Sequence, residues 1–178
     1  MYANLIPHPT TPSKAVKAID VAINRADSRM TLRYTATGNI DALDVPSLTT
    51  PARTDELWRG TCFELFLQAA GEMDYREFNF SPSRQWAAYL FDDYRRGMHT
   101  LELAEPPRIE VEITPQTLTQ TVFLSLAGTF LDTNSLLAGL SAVVRKKDGS
   151  VSYWALAHPA AKPDFHAPGS FTFALPQP

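Results

Sequence analysis

The chain of 178 residues holds a single cysteine, Cys62. No disulfide can form within it, and a lone thiol fits a reducing compartment, so the sequence predicts a cytoplasmic protein. No apolar run approaches the ~18 residues that a membrane-spanning helix needs. The opening MYANLIPHPTTPSK has no basic start followed by an apolar stretch, so no secretory leader is expected. An excess of either charge is lacking too. Sixteen Lys and Arg against 19 Asp and Glu leave a net charge of -3, which offers no field for nucleic acid or anionic lipid. The one basic cluster, Arg145-Lys146-Lys147, precedes Asp148-Gly149 and reads as a solvated hairpin tip. G-x-S-x-G, the phosphate-binding G-x-x-x-x-G-K and G-x-G-x-x-G are all absent, which removes support for serine-elbow, nucleotide and dinucleotide readings. Repeats and low-complexity blocks are missing as well.

What is present is alternation. Ile19, Val21 and Ile23 recur with period two, as do Met30, Leu32, Tyr34 and Ala36. The same period runs through Ile109, Val111 and Ile113, then Leu118, Gln120, Val122, Leu124 and Leu126. It returns in Leu140, Ala142 and Val144, in Val151, Tyr153 and Ala155, and in Phe171, Phe173 and Leu175. Period two is the signature of a half-buried strand. Asp148-Gly149 tolerates positive φ and so favours a tight hairpin between two of these runs. Fourteen prolines and frequent turns argue against helices; residues 133–138 (TNSLLA) are the one modest helical candidate, and residues 92–98 suggest a turn. The expectation is an all-β chain: one domain over residues 1–178, an antiparallel β-sandwich of about ten strands with at most two short helices. Residues 1–14 and 176–178 read as loose tails.

The stretch LWRGTCFELFLQAAGEMDYREFNFSPS fixes its own register. Phe63, Leu65 and Leu67 share one face of a strand, Phe78 and Phe80 one face of the next. Bringing them together sets Phe63 opposite Phe80 and Leu65 opposite Phe78, with residues 69–74 as the loop. Trp86 then falls against Phe80 on the core side. The opposite face carries Glu64, Glu77 and Asn79 beside Phe66, Tyr75, Tyr89 and Phe91. Two carboxylates do not suit a core face, and a solvated face has no need of so many rings. Such a mixture suits a polar ligand with apolar faces, such as a sugar. The alternative is a solvated or loop-covered face whose glutamates pair with Arg76, Arg95 or Arg96.

The block Leu57-Trp58-Arg59-Gly60-Thr61-Cys62-Phe63-Glu64-Leu65-Phe66-Leu67, followed by Tyr75-Arg76-Glu77-Phe78-Asn79-Phe80-Ser81-Pro82, resembles the DOMON-like domains, which are related to family 9 carbohydrate-binding modules. The likeness covers residues 54–91, with a softer match over 140–175. It implies a jelly-roll-like sandwich without catalytic activity, binding sugars in some branches and haem in others. In the sugar-binding branch two tryptophans clamp a pyranose while charged side chains bond its hydroxyls. Trp58 matches the first clamp and Glu64 a hydroxyl acceptor; Trp154 and Phe165 are candidates for the second clamp. Thr61 and Cys62 depart from the family, where an Asp beside an aliphatic residue is usual. The ligand-binding set so expected is Trp58, Arg59, Glu64, Glu77, Asn79, Arg84, Trp154 and His158, with a sugar or sugar-like molecule as partner and no cofactor.

Other chemistries are weaker. Glu64 and Glu77 fall roughly 7 Å apart on a ladder diagonal, within the separation that glycoside hydrolysis uses. A jelly-roll hydrolase is therefore an alternative, as is a protein-interaction domain using the same face or a sheet edge. His158, Asp164 and His166 lie in AHPAAKPDFH, but three donors without a fourth make a poor zinc signature. Haem needs a Met or His pair facing a pocket, which Met30, Met73 and Met98-His99 do not offer. Cys62 lies on a strand with no group beside it to lower its pKa, and reads as inert.

Overall fold

The computed structural model describes residues 1–129, 131 and 135–177. Twelve strands follow in chain order: β1 (Tyr2–Pro7), β2 (Val16–Ala26), β3 (Arg29–Gly38), β4 (Cys62–Ala69), β5 (Tyr75–Phe80), β6 (Trp86–Phe91), β7 (His99–Thr100), β8 (Arg108–Ile113), β9 (Thr117–Ser125), β10 (Leu136–Arg145), β11 (Val151–Ala155) and β12 (Phe173–Leu175). The helical content among the described residues is two single 3-10 turns, Ile40–Ala42 and Leu57–Arg59. The strands run in the order β7-β6-β5-β4-β10-β11-β1-β2-β3-β9-β8, with β12 added beside the start of β10. Every strand pair is antiparallel.

This long sheet curls so that its two halves pack face to face as a β-sandwich. Tyr34 of β3 reaches across to donate to the Glu64 carbonyl at 2.9 Å, and Gln120 of β9 donates to the Phe80 carbonyl at 3.0 Å. The Tyr34 and Phe63 rings meet between the layers at 5.0 Å. The alternating apolar sets supply the core: Ile19, Val21 and Ile23 from one layer lie buried with Phe63, Leu65, Phe78 and Phe80 from the other. Each such side chain contributes on the order of 1.5–3 kcal/mol. The central hairpin has the expected register, with Phe63 opposite Phe80, Glu64 opposite Asn79 and Phe66 opposite Glu77. Trp86 pairs with Phe80 and joins the core. The tight turn between β10 and β11 closes at Gly149, whose φ of 84° is one that glycine adopts without strain.

Three expectations are corrected. The first residues are no tail, because Tyr2–Pro7 is a strand between β11 and β2, with Ala3 and Leu5 in the core. In the helical candidate 133–138, residues 133 and 134 lie outside the described residues, while Leu136 to Ala138 begin β10. On β11 the core-facing phase is not Val151, Tyr153 and Ala155. Trp154 sits opposite Ala142 in the core, which turns Tyr153 to the other face. Apolar residues fill both phases of Tyr153-Trp154-Ala155-Leu156, so alternation alone could not choose.

Candidate functional site

The outer face of β4, β5, β6 and β10 is assembled in rows across strands. Ser141, Glu64, Asn79 and Ala87 form one row; Gly139, Phe66, Glu77 and Tyr89 form the next. At one end of this face the rings of Phe66, Tyr75, Tyr89 and Phe91 are buried as a second apolar cluster, packed by Leu57, Trp58, Phe165 and Phe171. Phe171 stacks on Phe66 at 5.5 Å, and Tyr75 stacks on Phe91 at 4.9 Å. At the glutamate end the covering segments part to leave a cavity of about 360 Å³. Its lining includes Trp58, Glu64, Glu77, Phe91, Tyr153 and Phe165. Arg95 and Met98 also line it, both exposed, so the cavity meets solvent there.

Two loops build the walls. Glu56 adopts a left-handed conformation (φ 61°) and starts the 3-10 turn that carries Trp58. Tyr89 anchors this loop by donating to Asp55 Oδ1 at 2.6 Å, and the half-buried Trp58 ring meets Tyr89 edge-on at 5.9 Å. The opposite wall comes from the chain after β11. Phe165 packs edge-on against Tyr153 at 6.0 Å. Asp164 accepts from Tyr94 Oη at 2.6 Å and Arg95 Nη2 at 2.7 Å, which ties the two covering loops together.

The glutamates are 2% and 5% exposed for Glu64 and Glu77. Glu64 Oε2 accepts from Ser141 Oγ at 3.1 Å, and Glu77 Oε1 accepts from Asn79 Nδ2 at 2.7 Å. The remaining oxygen of each has no hydrogen-bond donor among the described residues. Burial raises both carboxyls, with their mutual repulsion adding at Glu64; Glu77 rises to about 7 and Glu64 well above the ordinary carboxylate range. His166 fills the space beside them. Tyr75 Oη accepts from the Arg95 backbone N–H at 3.2 Å and shares a hydrogen bond with His166 Nδ1 at 2.8 Å. Nε2 of the same ring lies 3.6 Å from Glu77 Oε2. Burial, with the nearby Arg95 charge, pushes His166 down to about 4, so it stays neutral.

Of the eight residues expected from sequence, Trp58, Glu64 and Glu77 come together at the cavity. Asn79 is fully buried behind Glu77 and holds it. The other four do not join them. Arg59 is exposed and pairs with Glu56 at 2.7 Å. Arg84 lines a separate groove with Pro51, Trp86 and Arg108, because the turn carrying it leaves β6 at its Trp86 end while Trp58 packs three residues further along. Trp154 is 2% exposed in the core and donates to Ser152 Oγ, so it does not reach the cavity, whereas Phe165, the other candidate for the second clamp, lines it. His158 bonds the Ile6 carbonyl at 2.9 Å and packs on His8. Among the described residues no group of three His, Cys, Asp or Glu is placed to hold a metal ion. Sequence reasoning set Tyr153 in the core phase of β11, weighed Arg95 only as a partner of the glutamates when it pairs with Asp164, and missed the places of Asp164 and His166, whose loop carries no periodicity.

The arrangement can accept hydrogen bonds from a ligand and pack rings against it. Acid–base hydrolysis needs two carboxyls whose environments drive their pKa values apart; here burial drives both upward. No protein-family model matches the sequence, and no curated protein matches it either. Solved structures do resemble the fold. A candidate carbohydrate-binding protein from Bacteroides uniformis aligns with a TM-score of 0.71 at 13% identity, covering 97% of this chain and 84% of that one. A family 9 carbohydrate-binding module from Caldicellulosiruptor kristjanssonii in complex with cellotriose aligns at 0.58 and 8% identity, covering 98% and 80%. The same kind of module from that organism in complex with glucose gives 0.54 at 8%, covering 93% and 78%. The chain shares its sandwich fold with these proteins.

Proposed function

We propose that the protein is a non-catalytic carbohydrate-binding module whose ligand enters the cavity between Trp58 and Phe165. The observation that carries this reading is the pairing, in one cavity of about 360 Å³, of aromatic walls with two glutamates that keep unfilled acceptor oxygens. A pyranose has C–H faces that pack on rings and a rim of hydroxyls that donate to carboxylates. The likeness to modules solved with glucose and cellotriose supports the same ligand class. Titration calorimetry against glucose, cellobiose and cellotriose tests it. Wild type binds at least one of them, and Trp58→Ala weakens that binding by tenfold or more while the protein stays folded. Glu64→Gln weakens it less. Turnover of a chromogenic glycoside panel, or no saccharide bound at all, overturns the reading.

A further inference from the structure

We infer that the cavity selects a sugar bearing a protonated amine over its neutral counterpart; this rests on the carbohydrate reading above. Two carboxyls lie buried at the cavity with no buried cation among its lining residues. Glu64 and Glu77 line the cavity with one unfilled oxygen each, and their protein partners, Ser141 and Asn79, are neutral. The one cation in the lining, Arg95, is committed to Asp164 at 2.7 Å and lies at the exposed mouth, so that pair sums to zero. His166 faces Glu77 as a neutral ring. Arg95 offsets the burial of the two carboxyls only in part, so the pair facing the ligand keeps much of its protonation at neutral pH.

A neutral sugar can exchange hydroxyl hydrogen bonds with the pair and leaves it protonated. An ammonium favours the ionised form of the pair, because its hydrogen bonds to carboxylate are about twice as strong as neutral ones. The rest of the lining fits a cation equally well. Trp58, Phe91, Tyr153 and Phe165 line the cavity with the glutamates, and a cation is attracted by the face of such a ring. A divalent metal is the poorer occupant, because it demands six or more oxygen ligands and this lining is largely aromatic.

A proton balance accompanies the binding. The titratable groups that face the pair are Cys62 and Glu64 on β4, Tyr75 and Glu77 on β5, Tyr89 on β6 and Tyr153 on β11. Arg95, Asp164 and His166 face it from the covering loops. Of these, Glu77, held near 7, and Glu64, raised with it, are the groups from which a bound ammonium would displace a proton at neutral pH.

The experiment is calorimetry of the full chain at about pH 7, where a sugar amine is mostly protonated. Glucose, glucosamine and N-acetylglucosamine are titrated in two buffers of different ionisation heat. Glucosamine should bind about tenfold or more tightly than glucose, a gap of about 1.4 kcal/mol. It should release protons to the buffer, and N-acetylglucosamine should show neither effect. Glu77→Gln should reduce the glucosamine-to-glucose affinity ratio several-fold. Glucose binding as tightly as glucosamine overturns this inference and leaves the carbohydrate reading standing; none of the three binding overturns this inference, and the carbohydrate reading falls with it if cellobiose and cellotriose fail as well. A Glu77→Gln variant that keeps the full ratio, or loses both sugars by the same factor, also overturns it.

Discussion

Trp58 and Trp154 are the same residue type placed by sequence in the same role, yet the fold gives them opposite environments. Trp154 is fixed in the sandwich core by its opposition to Ala142, so Trp154→Ala should cost ~3–5 kcal/mol of stability, read as a lowered unfolding midpoint. Trp58→Ala should cost no more than ~1–2 kcal/mol, since its ring is only half-buried against Tyr89. Equal losses would mean that Trp58 is a core residue. Glu77 and His166 make a second contrast, in pH. A carboxyl raised from 4.5 to about 7 binds its proton more tightly when folded, so its contribution falls as pH rises across that window. His166, lowered from 6.5 to about 4, is neutral when folded, so its contribution rises with pH between about 4 and 6.5. In wild type the two trends oppose each other. Relative to wild type, Glu77→Gln should gain stability progressively from about pH 4.5 to 7, by up to about 3 kcal/mol in urea unfolding. Parallel curves for the two proteins would refute the burial of a shifted carboxyl at this position.

At the scale of the element, the β4–β5 hairpin was legible because its constraint is local. Phe63, Leu65, Phe78 and Phe80 must share one face, and a slip of one residue would turn all four outward. The same arithmetic placed Glu64 and Glu77 on one surface before any tertiary contact was known. The covering loops were not legible, because Asp164, Phe165 and His166 are positioned by hydrogen bonds and ring contacts to distant strands rather than by periodicity. Gly139 on β10 marks how closely one loop sits on the sheet. A Cβ there would lie 2.6 Å from Phe171 Cδ1 and 3.3 Å from Phe66 Cβ. Gly139→Ala should therefore lift Phe171 off Phe66 and destabilise by ~1–3 kcal/mol. Limited proteolysis should then cut first within residues 156–172. An alanine variant as resistant as wild type would mean that Phe171 can leave its stack without loosening the loop.

Over the whole molecule, the two halves of the sandwich are joined through one short strand. β1 pairs with β2 along Tyr2 to Leu5, then with β11 at Ile6 and Pro7, so it carries the hydrogen-bonded sheet from one layer into the other. Composition gave no hint of this, since MYANLIPHPTTPSK is short, rich in proline and without sustained alternation. Its importance comes from position rather than from intrinsic strand preference. Removing residues 1–7 deletes the buried Ala3 and Leu5 side chains and leaves unpaired the stretches of β2 and β11 that face them. The lost apolar burial is worth about 2–3 kcal/mol, and unpaired strand edges invite pairing between chains. The shortened protein should unfold at distinctly lower urea concentration than wild type, and light scattering should detect self-association at concentrations where the full chain stays dispersed. A truncation with unchanged midpoint and no added scattering would show that the layers hold together through side-chain packing alone, with β1 only an ornament on the seam.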